Sequence, residues 1–210
     1  MARTRMERLA PLAGVVFTVL FAVGFLTSAD TPDSDASGED VVKFYKDGGK
    51  FLFAFLILTI AAVLFMFFAG TLRRHFTLSG PDWLASVAFG GAVIYVGGLG
   101  IFAFTQFALV QASDNNQVAV AQTLNVIDDS NSAPALIGAA VVLLASAWHV
   151  LAARSLPIWL GWVALILGIL AFAGPLGFIS FLLFPFWVLA VAIALFRRGD
   201  VPRAPATVEA

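Results

Sequence analysis

Residues 51–71 read FLFAFLILTIAAVLFMFFAGT, from Phe51 to Thr71, with no charged residue anywhere in the run. A membrane β-strand would alternate apolar and polar positions over about ten residues. The opening Phe51-Leu52-Phe53-Ala54-Phe55-Leu56-Ile57-Leu58 shows no such alternation. An α-helix instead satisfies its own backbone hydrogen bonds in lipid. About 20 apolar residues carry it across a ~30 Å hydrocarbon core. The stretch is therefore read as a transmembrane helix.

Five further uncharged apolar runs flank it, at residues 9–28, 83–110, 133–153, 156–173 and 178–196. The whole chain of 210 residues is 60% hydrophobic and 12% charged, and its mean hydropathy is +0.95. Soluble domains carry about 25% charged residues, so lipid is the solvent that suits this composition. No charge separates Arg154 from Arg197. A single helix there would be about 60 Å long, twice the core thickness. Gly174-Pro175-Leu176-Gly177 at its middle predicts a tight turn between two helices. The expected fold is all-α: a polytopic membrane bundle of six transmembrane helices in three hairpins, forming one domain over residues 1–210. Hairpin starts near Leu9, Trp83 and Leu156 are evenly spaced, but no matching residues mark an internal repeat.

Orientation follows from Lys and Arg. With the amino terminus inside, Arg3, Arg5, Arg8, Arg73, Arg74, Arg154, Arg197, Arg198 and Arg203 fall on the inner side, nine of the twelve cations. Lys43, Lys46 and Lys50 fall outside, with the acids Asp30, Asp33, Asp35, Glu39, Asp40, Asp47, Asp114, Asp128 and Asp129. Trp83, Trp148, Trp159 and Trp162 sit near inner helix ends, as an interfacial belt requires. Both termini are thus expected inside, in a bacterial plasma membrane. Arg3, Arg5 and Arg8 with Thr27-Ser28-Ala29 also resemble a secretory signal. The first apolar run exceeds the usual 7–15-residue signal core, so a retained anchor is expected.

Two outer loops, residues 29–50 and 111–132, are long and read as partly helical. Ser37-Gly38-Glu39-Asp40 is a capping-box variant. Val41, Phe44 and Tyr45 then share a face, and Glu39/Lys43 and Lys43/Asp47 are (i, i+4) pairs. In the second loop Asp114 is expected to cap a short helix with Val120, Leu124 and Ile127 on its bundle-facing side. Both short helices are expected to lie flat over the bundle. Asp128, Asp129 and Asn131 would then stand at its outer mouth.

Chemistry is sparse. No Asp, Glu, Lys or Arg falls inside the six runs, which argues against an ion-coupled transporter. The absence of cysteine and the presence of only His75 and His149 argue against a zinc site. No metal, cofactor or catalytic residue is expected. His149 reads either as a proton relay or, preferred here, as an interfacial histidine snorkelling beside Trp148. Ser146 near it is taken as coincidence, because a serine nucleophile needs a base that is itself oriented. Asp30-Thr31-Pro32-Asp33-Ser34-Asp35 lacks the glycine and terminal glutamate of a calcium loop and reads as a solvated linker. Tyr95 and Gln106 put polar atoms in the third run, to line a cavity or to bond a neighbouring helix. Ser86, Gly90, Gly97, Gly98 and Gly100, with Ala135 and Ala139, form small-residue patterns that serve packing within the chain or an oligomer interface.

One stretch carries a resemblance. Thr31-Pro32-Asp33-Ser34-Asp35, Glu39-Asp40-Val41-Val42-Lys43-Phe44-Tyr45 and the span ending Leu72-Arg73-Arg74 make Pro11–Arg74 resemble a group of uncharacterised actinobacterial multi-pass membrane proteins, a domain-of-unknown-function family. The resemblance implies a helical membrane fold and no particular activity. The expected function is a non-enzymatic structural, sensory or partner-binding module. A facilitative permease for a small neutral or amphipathic solute comes second and a membrane enzyme third. Expected partners are the lipid bilayer and a second copy or another membrane protein; no nucleic acid is expected.

Overall fold

The computed structural model describes residues 9–28 and 31–198. Arg3, Arg5, Arg8, Ala29, Asp30 and Arg203, on which parts of the charge and cleavage readings rest, lie outside the described residues. Within them the chain is all-α, with no strand. The helices are α1 (Leu12–Ser28), α2 (Gly38–Tyr45), α3 (Gly49–Ser79), α4 (Asp82–Asp114), α5 (Val118–Ser130), α6 (Ala133–Ala153), α7 (Ile158–Leu170) and α8 (Gly177–Arg198).

By length and composition, four helical stretches can cross a membrane: Gly49–Ser79, Asp82–Asp114, Val118–Ala153 and Gly174–Arg197. The apolar helices Leu12–Ser28 and Ile158–Leu170 are shorter. Helix α7 has 13 residues, about 20 Å at 1.5 Å per residue, and falls short of a ~30 Å core unaided. Its expected run of 156–173 is trimmed at both ends for local reasons. Pro157 sits at its N-cap and disfavours helical backbone at Leu156. At the other end the chain turns through Gly174–Leu176, a single 3₁₀ turn, with Gly174 at φ 60°, a conformation that glycine adopts without strain.

Helices α3 and α4 overrun their predicted spans. They hold 31 and 33 residues, about 46 and 50 Å, because nothing breaks them before Gly80-Pro81 and Asn115-Asn116. Asn116 takes a left-handed φ of 51°, which asparagine tolerates. Helix α4 is central and packs against α3 and α6; α1 packs against α3 and α8; α7 lies against α6 and α8. The middle of the bundle is aromatic. Phe17, Phe65, Tyr95 and Phe184 are all fully buried, with ring centroids 4.9 Å apart for Phe17–Phe65, 5.0 Å for Phe65–Tyr95 and 4.7 Å for Tyr95–Phe184. Leu56, Phe67, Phe104, Ile166 and Phe186 are exposed around the outside, apolar surface that lipid rather than water accommodates.

The segment 111–132 corrects three expectations. Asp114 ends α4 and does not cap α5, which begins at Val118 with Gln117 as N-cap and no side-chain cap bond; Asp114 Oδ1 accepts the Asp47 backbone N–H at 3.3 Å. Helix α5 does not lie flat. The chain reverses at Asn115–Gln117, and α5 with α6 runs antiparallel beside α4. Gln106 pairs with Asp128, while a Cβ at Gly98 would strike the Ala135 backbone and one at Gly138 would strike the Tyr95 backbone. Val120 and Ile127 face away from the bundle; the buried face is Ala121 and Asn125, flanked by the half-buried Leu124 and Asp128. Small and polar side chains win that face because α5 lies close to α4 and meets hydrogen-bonding partners there.

The first outer helix matches its reading more closely. Asp40 N–H donates to Ser37 Oγ at 3.2 Å, and the Ser37 hydroxyl donates to the Asp40 carboxylate at 2.6 Å. Val41 and Tyr45 are fully buried and Phe44 packs beside them. With Phe51, Leu109, Val110, Ala112 and Ala121 they form a second apolar core, which caps the overhanging ends of α3, α4 and α5.

Of the small residues, Gly98, Gly138 and Ala135 mediate the α4–α6 contact. Ser86, Gly90, Gly97 and Gly100 face outward instead.

Candidate functional site

Pro134 lies in the first turn of α6. It has no N–H to return to the Ser130 carbonyl, so α5 stops there and Asn131 and Ser132 bridge the break in near-helical conformation. That break turns Asn131 back onto α5, where its Nδ2 donates to Asp128 Oδ1 at 2.8 Å. From α4, Gln106 Nε2 donates to Asp128 Oδ2 at 2.7 Å. One carboxylate thus collects an amide from each of two elements.

Asp128, Asp129 and Asn131 line one cleft of about 320 Å³. Phe25 and Ser28 enter it from the end of α1, Thr31 and Pro32 from the following loop, Phe102 from α4 and Phe178 from the start of α8. Asn125 also lines it, and its Nδ2 donates to the Asp33 carbonyl at 2.8 Å, pinning that loop to α5. Because the Asp128 carboxylate can only accept, Asn131 and Gln106 both present their NH₂ groups to it. Their oxygens, Gln106 Oε1 and Asn131 Oδ1, are buried without a partner.

Among the described residues the cleft is rich in acceptors and is lined by no Lys, Arg or His. Among the described residues no group of three or more His, Cys, Asp or Glu side chains could hold a metal ion. No hydroxyl of the cleft is paired with a base among the described residues. What the arrangement can do is accept hydrogen bonds.

Tyr95 and Gln106, the cavity candidates, are not brought together. Tyr95 sits fully buried in the aromatic centre, its hydroxyl without a partner. Gln106 sits at the Asp128 end. A gap beside Phe65, Ala92 and Val142 measures only about 10 Å³, about one water.

His149 does not snorkel. It is fully buried while Trp148 is exposed. Its Nε2 lies 3.0 Å from the Phe76 carbonyl and its Nδ1 3.0 Å from Ser155 Oγ. A carbonyl only accepts, so Nε2 carries the hydrogen and the Ser155 hydroxyl donates to Nδ1. The ring stacks on Phe76 at 4.0 Å, and His75 Nε2 reaches the Ser155 carbonyl at 3.0 Å. These contacts join the α3–α4 and α6–α7 turns at the end of the bundle that carries Arg73, Arg74 and Arg154. Ser146 has no link to the ring; its hydroxyl is buried without a partner.

Reading the sequence missed Asn125 and the three phenylalanines of the cleft. The spacing of Ala121, Asn125 and Asp128 was the available signal for Asn125. The phenylalanines come from three separate helices, and nothing local marks them. No family model, curated protein or solved structure matches the chain.

Proposed function

We propose that this chain is a multi-pass protein of a bacterial plasma membrane, crossing it six times with both termini inside. In this reading it acts as a non-enzymatic sensory or partner-binding module whose working face is the outer end, and it belongs with the actinobacterial membrane proteins that Pro11–Arg74 resembles. The observation that carries the reading is the segregation of polar groups. Asp128, Asn131, Gln106 and Asn125 are buried or half-buried at one end, around a cleft that packing alone does not require. Arg73, Arg74 and Arg154 lie at the opposite end, as insertion favours. The exposed Trp83, Trp148, Trp159 and Trp162 accompany them, and Trp83 packs edge-on against Trp148 at 5.7 Å. Between the two ends the aromatic centre leaves no polar route along Tyr95, which weighs against the permease.

The test is complementation of a deletion strain. A variant with Asp128→Asn and Asn131→Ala is expected to reach the membrane at normal abundance and fail to complement. Tyr95→Phe is expected to complement fully. The reverse outcome, a silent cleft and an essential Tyr95 hydroxyl, would move function into the core and overturn the reading.

A further inference from the structure

We propose that the cleft beside Asp128 binds a small organic amine, a primary ammonium group on an apolar body. This deepens the sensory reading and rests on it for the side from which the ligand arrives.

Three independent observations meet in the cleft. Its charge is one-sided: Asp128 and Asp129 line it, with no cation among the described lining residues. Its polar floor is incomplete. Asn131 is 5% exposed and lines the cleft, Gln106 is 2% exposed behind it, and each keeps an amide oxygen without a donor beside the same carboxylate. A primary ammonium has three N–H donors, one for the carboxylate and another for Asn131, the unsatisfied amide that lines the cleft. Its remaining wall is aromatic, with Phe25, Phe102 and Phe178. Such a wall suits an apolar body and favours a nearby cation, and a hydrated metal ion has no use for it. The cleft's volume of about 320 Å³ lies at the small end of the range for organic ligands. A divalent metal would find only two carboxylates, and the described residues offer no larger ligand group.

The full chain, purified in detergent, is titrated calorimetrically with 2-phenylethylamine, 2-phenylethanol, the trimethylated ammonium analogue and calcium chloride. Saturable binding of the amine is expected, with the alcohol and the trimethylated compound at least tenfold weaker. Asp128→Asn is expected to weaken amine binding at least tenfold. Phe102→Ala, which leaves every polar group in place, is expected to weaken it several-fold and serves if the first variant folds poorly. No saturable amine binding, equal binding of the alcohol, or saturation of the site by calcium alone would overturn the proposal. Topology is read separately in cells, so failure here leaves the outer-face reading standing, and a reversed topology leaves amine binding intact.

Discussion

At the scale of single residues, Tyr95 carries the most testable property. Its hydroxyl is buried without a partner, and deleting an unsatisfied polar group is neutral or stabilising. Tyr95→Phe should therefore keep or raise the melting temperature, whereas a drop would reveal a hydrogen bond to that hydroxyl. His149→Ala should destabilise by about 1–3 kcal/mol, because it removes the hydrogen bonds to the Phe76 carbonyl and the Ser155 hydroxyl together with the ring stacked on Phe76. The carboxylates and Asn131 were legible as outer-face candidates because acids avoid lipid. The fate of Tyr95 and His149 was not, since a lone polar residue in an apolar run gives no sign of whether it meets a cavity, a lipid interface or a neighbouring helix.

At the scale of elements, long apolar runs announced their helices, and chain punctuation set their ends. Gly80-Pro81 closes α3, Pro157 holds back the start of α7, and Gly174-Pro175 lies in the turn between α7 and α8. Ser37 was legible for the same local reason, and its cap is present. Ser37→Ala should loosen α2 by about 1 kcal/mol, seen as faster amide exchange over residues 38–45; unchanged exchange would mean that tertiary packing alone holds the helix. The rotation of α5 was not legible. Val118, Val120, Val126 and Ile127 are spread around its circumference and exposed, so apolar spacing points to no one face. What fixes it is the close approach to α4 and the bonds from Asn125 and Asp128, which are tertiary. The α4–α6 contact depends on Gly138, where a side chain would strike the Tyr95 backbone. Gly138→Val should cost about 1–3 kcal/mol or more, as overpacking does, and should lower the yield of folded protein on size exclusion.

At the scale of the whole molecule, two cores share one frame. The larger runs through the bundle around Phe17, Phe65 and Phe184, and the smaller gathers α2 onto the overhanging ends of α3, α4 and α5. The cleft opens beside the smaller core, between the end of α1, the α5–α6 break and the start of α8. Composition made the membrane reading legible, but it could not show that the second long loop is a continuation of the α4 hairpin, because that depends on which surfaces the helices choose. The account as a whole stands on the cleft facing outward and the arginine end facing in. The chain has no cysteine, so single-cysteine variants are clean reporters. Asp129→Cys and Arg74→Cys should each be treated in intact spheroplasts with a membrane-impermeant maleimide. The account predicts that position 129 labels at once and position 74 labels only after lysis; labelling of position 74 in intact spheroplasts with position 129 protected would contradict it.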